Sequence, residues 1–199
     1  MLGKAKMNPD FKKLAEYIDQ TFAVKTINII YDTINKGTPR LDICFEFENE
    51  YNQFYSNYKF NSIKQKKIAD KFEQLVDGEK YITKNAWVVF SNFEHVAKIE
   101  TIDSISVKEV EEFKKQLNHN DLWTISKLFT ATTFFLYTQE QVKLYENSPI
   151  KTEWENKYFD IVKQYDEFGY FKRESFKIYL DSKENFDTNY DSNWYYYYK

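Results

Sequence analysis

At 199 residues, 42% hydrophobic and 30% charged, the chain has enough apolar mass for a sizeable core, which excludes disorder as its main state. A formal charge of −3 leaves no global basic field to hold a phosphate backbone, so general nucleic-acid binding is disfavoured. A single cysteine, Cys44, allows neither an intramolecular disulfide nor a cysteine-built zinc site, and no run approaches the roughly 20 apolar residues of a membrane span.

The opening MLGKAKMNPDFKK has no hydrophobic signal core, so the expected location is the cytoplasm. Aromatic residues make up 20% of the chain, set against 4 Gly and 3 Pro. Large rings must therefore fill much of the core, and many tyrosine hydroxyls need partners at its edge.

Asn8-Pro9 reads as an N-cap followed by proline at the first helical position. Phe11, Leu14, Ala15, Ile18 and Phe22 then give a helix one apolar stripe. Thr26 to Tyr31 alternates, with Ile27, Ile29 and Tyr31 on one side. A turn through Asn35-Lys36-Gly37-Thr38-Pro39 leads to a second alternating run. There Leu41, Ile43, Phe45 and Phe47 face one way and Asp42, Cys44, Glu46 and Glu48 the other, predicting a hairpin with one wet, acidic face.

Ser62 and Gln65 form a capping box for a helix on Ile68, Phe72, Leu75 and Val76, stopped by Asp77-Gly78. Its lysines Lys64, Lys66, Lys67 and Lys71 read as a solvated face, since no Gly-rich loop accompanies them. Ala86 to Phe90 is apolar on both faces and predicts a central strand, and Phe93 to Ile102 a short further strand.

A second box, Ser106 with Glu109, starts a helix on Val107, Val110, Phe113 and Leu117. After Asn118-His119-Asn120 a short helix is expected on Leu122, Ile125 and Phe129. Thr132 to Tyr137 predicts a strand buried on both faces. Thr138 with Gln141 starts a helical turn, and Ser148-Pro149 a long helix on Ile150, Trp154, Tyr158, Ile161 and Tyr165. Phe176 to Leu180 alternates as a last strand.

At a constant offset of 90, Phe45, Glu50, Tyr55 and Asn57 meet Phe135, Glu140, Tyr145 and Asn147, with Phe47 opposite Tyr137 and Val88 opposite Ile178. This pattern admits a pseudo-repeat of 41–91 by 131–181, although the helices between need gaps to align. The expected architecture is one α+β domain over 1–199, its sheet mostly antiparallel and its helices packed mainly on one face.

Signals for chemistry are sparse. His95 and His119 are the two histidines, Cys44 has no predicted base, and there is no glycine-flanked serine and no phosphate-cradling loop. Asp187, Asn189, Asp191 and Asn193 alternate as in a calcium loop, but Ser192 and Tyr198 stand where such a loop needs Gly and Glu. Neither a catalytic residue, a metal ligand nor a cofactor is expected. Glu46 and Glu48, about 7 Å apart on one strand face, leave a carboxylate-dependent hydrolase or transferase as an alternative. A purely structural tail is another.

The acids are distributed unevenly. From Ala131 onward 12 acids meet 9 bases, a balance of −3 that equals the net charge of the whole chain. Asp42, Glu46 and Glu48 in the second strand, and Asp181, Glu184, Asp187 and Asp191 near the end, are interleaved with aromatics that include Trp194 and Tyr195. These nine residues are the expected partner-binding set, with carboxylates steering a basic protein and rings anchoring it.

The capped helix from Asn8 to Phe22, the hairpin ending in LDICFEFENEYNQFY and the last strand running into DSKENFDTNYDSNWYYYY together resemble small cytoplasmic immunity proteins of bacterial polymorphic and contact-dependent toxin systems. The resemblance implies a non-enzymatic chain that binds and blocks a cognate toxin domain with a basic surface. From composition and the missing motifs, no cofactor, nucleic-acid or membrane partner is expected.

Overall fold

A computed structural model describes residues 6–35 and 37–199; the opening residues 1–5, and Lys36 of the predicted turn, lie outside the described residues. The fold is α+β. The chain divides into two compact units, Met1–Val96 and Ala97–Lys199.

The first unit opens with a 3-10 turn at Pro9–Phe11, capped by the Asn8 side chain, and continues into α1 (Lys12–Phe22). Strands β1 (Thr26–Ile34) and β2 (Thr38–Phe45) form the predicted hairpin. Its turn uses Gly37 at φ +97°, a conformation that side chains rarely adopt. A crossover through α2 (Glu48–Tyr51), a two-residue hairpin of β3 (Tyr55–Ser56) and β4 (Lys59–Phe60), and α3 (Ser62–Leu75) returns the chain to β5 (Trp87–Asn92). The sheet order is β1-β2-β5, with β2 antiparallel to β1 and parallel to β5. Leu14 and Ile18 of α1, Ile68 and Phe72 of α3, and Leu41, Ile43 and Phe45 of β2 form a fully buried core.

Helix α4 (Phe93–Ser104) carries the chain across the division between the units. The second unit then repeats the order: α5 (Val107–Leu117), β6 (Leu122–Leu128), β7 (Ala131–Leu136), α6 (Gln139–Tyr145), α7 (Pro149–Tyr165) and β8 (Tyr179–Ser182). Its sheet is β6-β7-β8, again one antiparallel pair and one parallel pair. Phe113, Phe134, Trp154 and Tyr158 lie at the centre of its core. Two last helices, α8 (Lys183–Tyr190) and α9 (Trp194–Tyr197), follow β8.

The likeness of the units extends to irregular details. Each hairpin has a bulge at the start of its first strand, between Thr26 and Asn28 opposite Phe45 and Cys44, and between Leu122 and Thr124 opposite Leu136 and Phe135. Helices α1 and α5 both end on a left-handed residue, Ala23 and Asn118. Register therefore places Cys44 in correspondence with Phe135 and Phe45 with Leu136, one residue from the constant offset of 90.

Several expectations are corrected. Ala86 to Phe90 does not form a central strand: β5 lies at the sheet edge and leaves Trp87 46% exposed, while β2 and β7 take the centres. Phe93 to Ile102 is helical, burying Phe93, Ala97 and Thr101 at a spacing of four, with Ile102 also buried beside Thr101 in sequence. The expected helix on Leu122, Ile125 and Phe129 is strand β6, with Phe129 in a left-handed turn. Asn61, not Ser62, caps α3, its side chain accepting from Lys64 N at 3.1 Å. Gln65 instead reaches the carbonyl of Val88.

Candidate functional site

In the second unit β7 and β8 run parallel, so both strands end at the same edge of the sheet, and both turn there into helices. Thr138 caps α6 and Ser182 caps α8 through their hydroxyls. The two helix starts are tied together: Glu184 N donates to the Tyr137 carbonyl at 3.1 Å, and Gln139 N donates to Glu184 Oε2 at 2.9 Å. Between them opens a cleft of about 530 Å3, lined by Gln139, Asp181, Glu184, Asn185, Thr188 and Asn189, with Leu180 also on its wall.

Asp181 is the floor of this cleft and is densely held. Gln139 Nε2 (3.2 Å), Asn185 Nδ2 (3.0 Å to each oxygen), Ser182 N (2.7 Å) and the Tyr197 hydroxyl (2.7 Å) all donate to its carboxylate. Burial, followed by the hydrogen bond to Asp181, pushes the Tyr197 phenol far above its ordinary range, so it stays a donor. A half-buried carboxylate with this many donors orders its surroundings; the outward charge of the cleft comes from Glu184 on its wall. Glu140, in the first turn of α6, is exposed.

The remaining tail residues divide by role. Asp187 pairs with Lys183 and accepts from the Ser192 hydroxyl at 2.6 Å; these contacts, Lys183 first, hold its carboxyl below the usual range. Asp191 is exposed, in the left-handed position that ends α8. Trp194 packs on Phe186 (4.2 Å between ring centroids), Phe135 (5.2 Å) and Trp123 (6.2 Å), leaving it 39% exposed. Tyr195 turns outward at 68% exposure.

The acids of the first unit do not form the predicted wet face. Strand β2 ends at Phe45, and Glu50, three residues into the next segment, accepts from Phe47 N, so Glu46 and Glu48 leave the strand. Glu46 is mostly covered, with Lys25 Nζ at 3.8 Å. Glu48 is exposed in the first turn of α2, and Phe47, expected inside, is 42% exposed. Asp42 is half-buried beside Ser91, and burial raises its pKa. Cys44, expected on the same wet side, is fully buried; burial, then the Asp42 charge, pushes its thiol up to about 11.

The structure thus places Asp181 and Glu184 together in one cleft, with Asp187, Asp191, Trp194 and Tyr195 following on α8 and α9. Asp42, Glu46 and Glu48 lie in the other unit. Sequence reasoning missed Gln139, Asn185 and Tyr197, the donors that fix Asp181; the one sequence trace of them is the run of capping residues around Thr138 and Ser182.

Among the described residues no group of three or more His, Cys, Asp or Glu is placed to hold a metal ion, and no helix is long and apolar enough to cross a membrane. Compared with protein-family models, curated proteins and solved structures, the chain matches none.

Proposed function

We propose that this chain is a non-enzymatic binding protein, an immunity protein that neutralises a cognate toxin domain, and that the α6–α8 cleft with the exposed end of the tail is its contact surface. The observation that carries this reading is the cleft itself. It is open and polar, its wall carries a carboxylate and its floor is fixed by neutral donors. Arginine or lysine side chains suit such a site, because Glu184, Glu140 and Asp191 steer a basic surface and the Asp181 network holds the rim in shape before contact. Tyr195, an exposed ring close in sequence to Asp191, offers an aromatic anchor on the tail.

A hydrolase or transferase centred on Glu46 and Glu48 has less support, since the two carboxylates do not share a strand face and Glu46 is engaged by Lys25. Nucleophilic use of Cys44 is opposed by its burial and raised pKa.

The test pairs the chain with the toxin domain encoded beside it. The intact chain should bind stoichiometrically and protect cells that express the toxin. Glu140→Gln combined with Asp191→Asn, both tolerated by the local backbone, should slow association about tenfold at low salt and flatten its salt dependence. Absence of both binding and protection would end the reading. Binding with unchanged association kinetics would remove Glu140 and Asp191 from the steering surface.

A further inference from the structure

The first unit builds the same cleft with different chemistry. Its parallel pair β2 and β5 also ends at one edge, followed by α2 and α4. Glu94 N donates to the Glu46 carbonyl at 2.9 Å, as Glu184 N does to Tyr137. Asn92 Oδ1 accepts from His95 N at 3.2 Å, as Ser182 Oγ accepts from Asn185 N at 2.9 Å. Between the helix starts lies a cleft of about 250 Å3, lined by Glu48, Tyr51, Ser91, Asn92, His95 and Val96, with Phe90 on its wall. The carboxyl ends of parallel strands are where open sheets commonly place ligands, and this chain shapes that edge in both units.

By register, Glu48 stands where the second unit has Gln139, Ser91 where it has Asp181, and His95 where it has Asn185. The carboxylate has moved from the floor to the mouth. On the floor, Ser91 donates instead to the Cys44 sulfur at 3.1 Å. Among the described residues neither lysine nor arginine lines the cleft; Glu48 is its one carboxylate, and His95 is the other titratable side chain besides Tyr51. The walls are aromatic and apolar: Tyr51, whose ring lies 5.2 Å from that of Tyr55, together with Phe90 and Val96. Burial raises the Tyr51 phenol, which keeps the ring neutral.

A carboxylate beside an aromatic wall selects a flat, weakly hydrated cation over a compact ammonium ion, because a planar guanidinium can stack on the ring while its fork of N–H groups pairs with the carboxylate. We propose that the cleft between α2 and α4 is a receptor for a guanidinium group, with Glu48 as the acceptor and Tyr51 as the stacking face. This site is separate from the α6–α8 cleft and does not depend on the reading of that cleft.

The experiment is an NMR titration of the full chain with N-acetyl-arginine amide, and with its neutral citrulline counterpart. Saturable shifts are expected in the resonances of Glu48–Tyr51 and Ser91–Val96, at least tenfold weaker with the citrulline compound. Glu48→Gln, which installs the residue found at the matching place in the second unit and so should fold, is expected to weaken arginine binding at least tenfold. Tyr51→Leu should weaken it several-fold. Agmatine and an arginine-centred tripeptide separate the sources: tighter binding of the tripeptide identifies a partner's side chain, and tighter binding of agmatine a small molecule. An absence of saturable shifts, equal response to citrulline, or an unchanged response in Glu48→Gln would overturn the proposal.

Discussion

The two units share one wiring and differ in how the second face of the sheet is treated. In the second unit Phe134 points into the helical core, and Phe135 points the other way, onto Trp194, Tyr197, Phe186 and Trp123. The chain's own tail covers that face, and the central strand is buried on both sides. In the first unit the register counterpart of Phe135 is Cys44, and its neighbours on that face are polar: Asp32 and Arg40 pair across the strands, and Asp42 lies beside Ser91. The caps, bulge and crossover, which the units share, set the path of the backbone. The size and polarity of the outer residues follow what lies over them.

Substitutions at the matched pair test this most severely. Phe135→Ala should destabilise the chain by about 3–5 kcal/mol, whereas Cys44→Ala, which removes a single sulfur, should cost about 1 kcal/mol. Urea unfolding of the two variants measures both. Equal costs would break the correspondence between size and cover.

Removing Trp194–Lys199 sharpens it further. Trp123, Phe135 and Phe186 lose the Trp194 ring, and the hydroxyl bonds from Tyr197 to Asp181 and from Tyr198 to Ser126 disappear. The expected loss is roughly 2–3 kcal/mol, read as faster amide exchange in β6 and β7. An unchanged exchange pattern would mean that the tail rests on the sheet without supporting it.

The smallest effect concerns the start of α5. Glu109 is held down to about 2 by the Tyr165 hydroxyl, and then by Ser106. Its folded pKa lies below the ordinary value of 4.5, so its contribution is complete above about pH 4.5 and is lost as pH falls toward 2. Glu109→Gln should therefore melt below the parent at neutral pH, and the gap should close across that window. A gap that stayed constant with pH would assign the difference to packing.

Much of this fold was legible because capping chemistry is local. Asn8, the Ser106 and Glu109 box, the Thr138 and Gln141 box, and Ser148-Pro149 all mark helix starts that the structure contains. Strand β6 was not legible because Trp123, the bulged residue, interrupts its alternation and leaves Leu122 and Ile125 at a helix-like spacing of three. The acidic face on β2 failed for a related reason: alternation continues in sequence past Phe45, but the Glu50 carboxylate turns the chain into α2. In the cleft, Asp181 and Glu184 could be picked out as acids. Their ordering partners come from Gln139, more than 40 residues earlier, and from Tyr197, a distance that no local pattern spans.

Trp123 and Trp194 lie with their ring planes 6° from parallel and their centroids 6.2 Å apart. Two indoles held so close couple their electronic transitions, and even a small skew between the transition dipoles makes the pair an optically active chromophore. The seating of the tail on β6 is therefore inscribed in the circular dichroism of the native protein, with no label added.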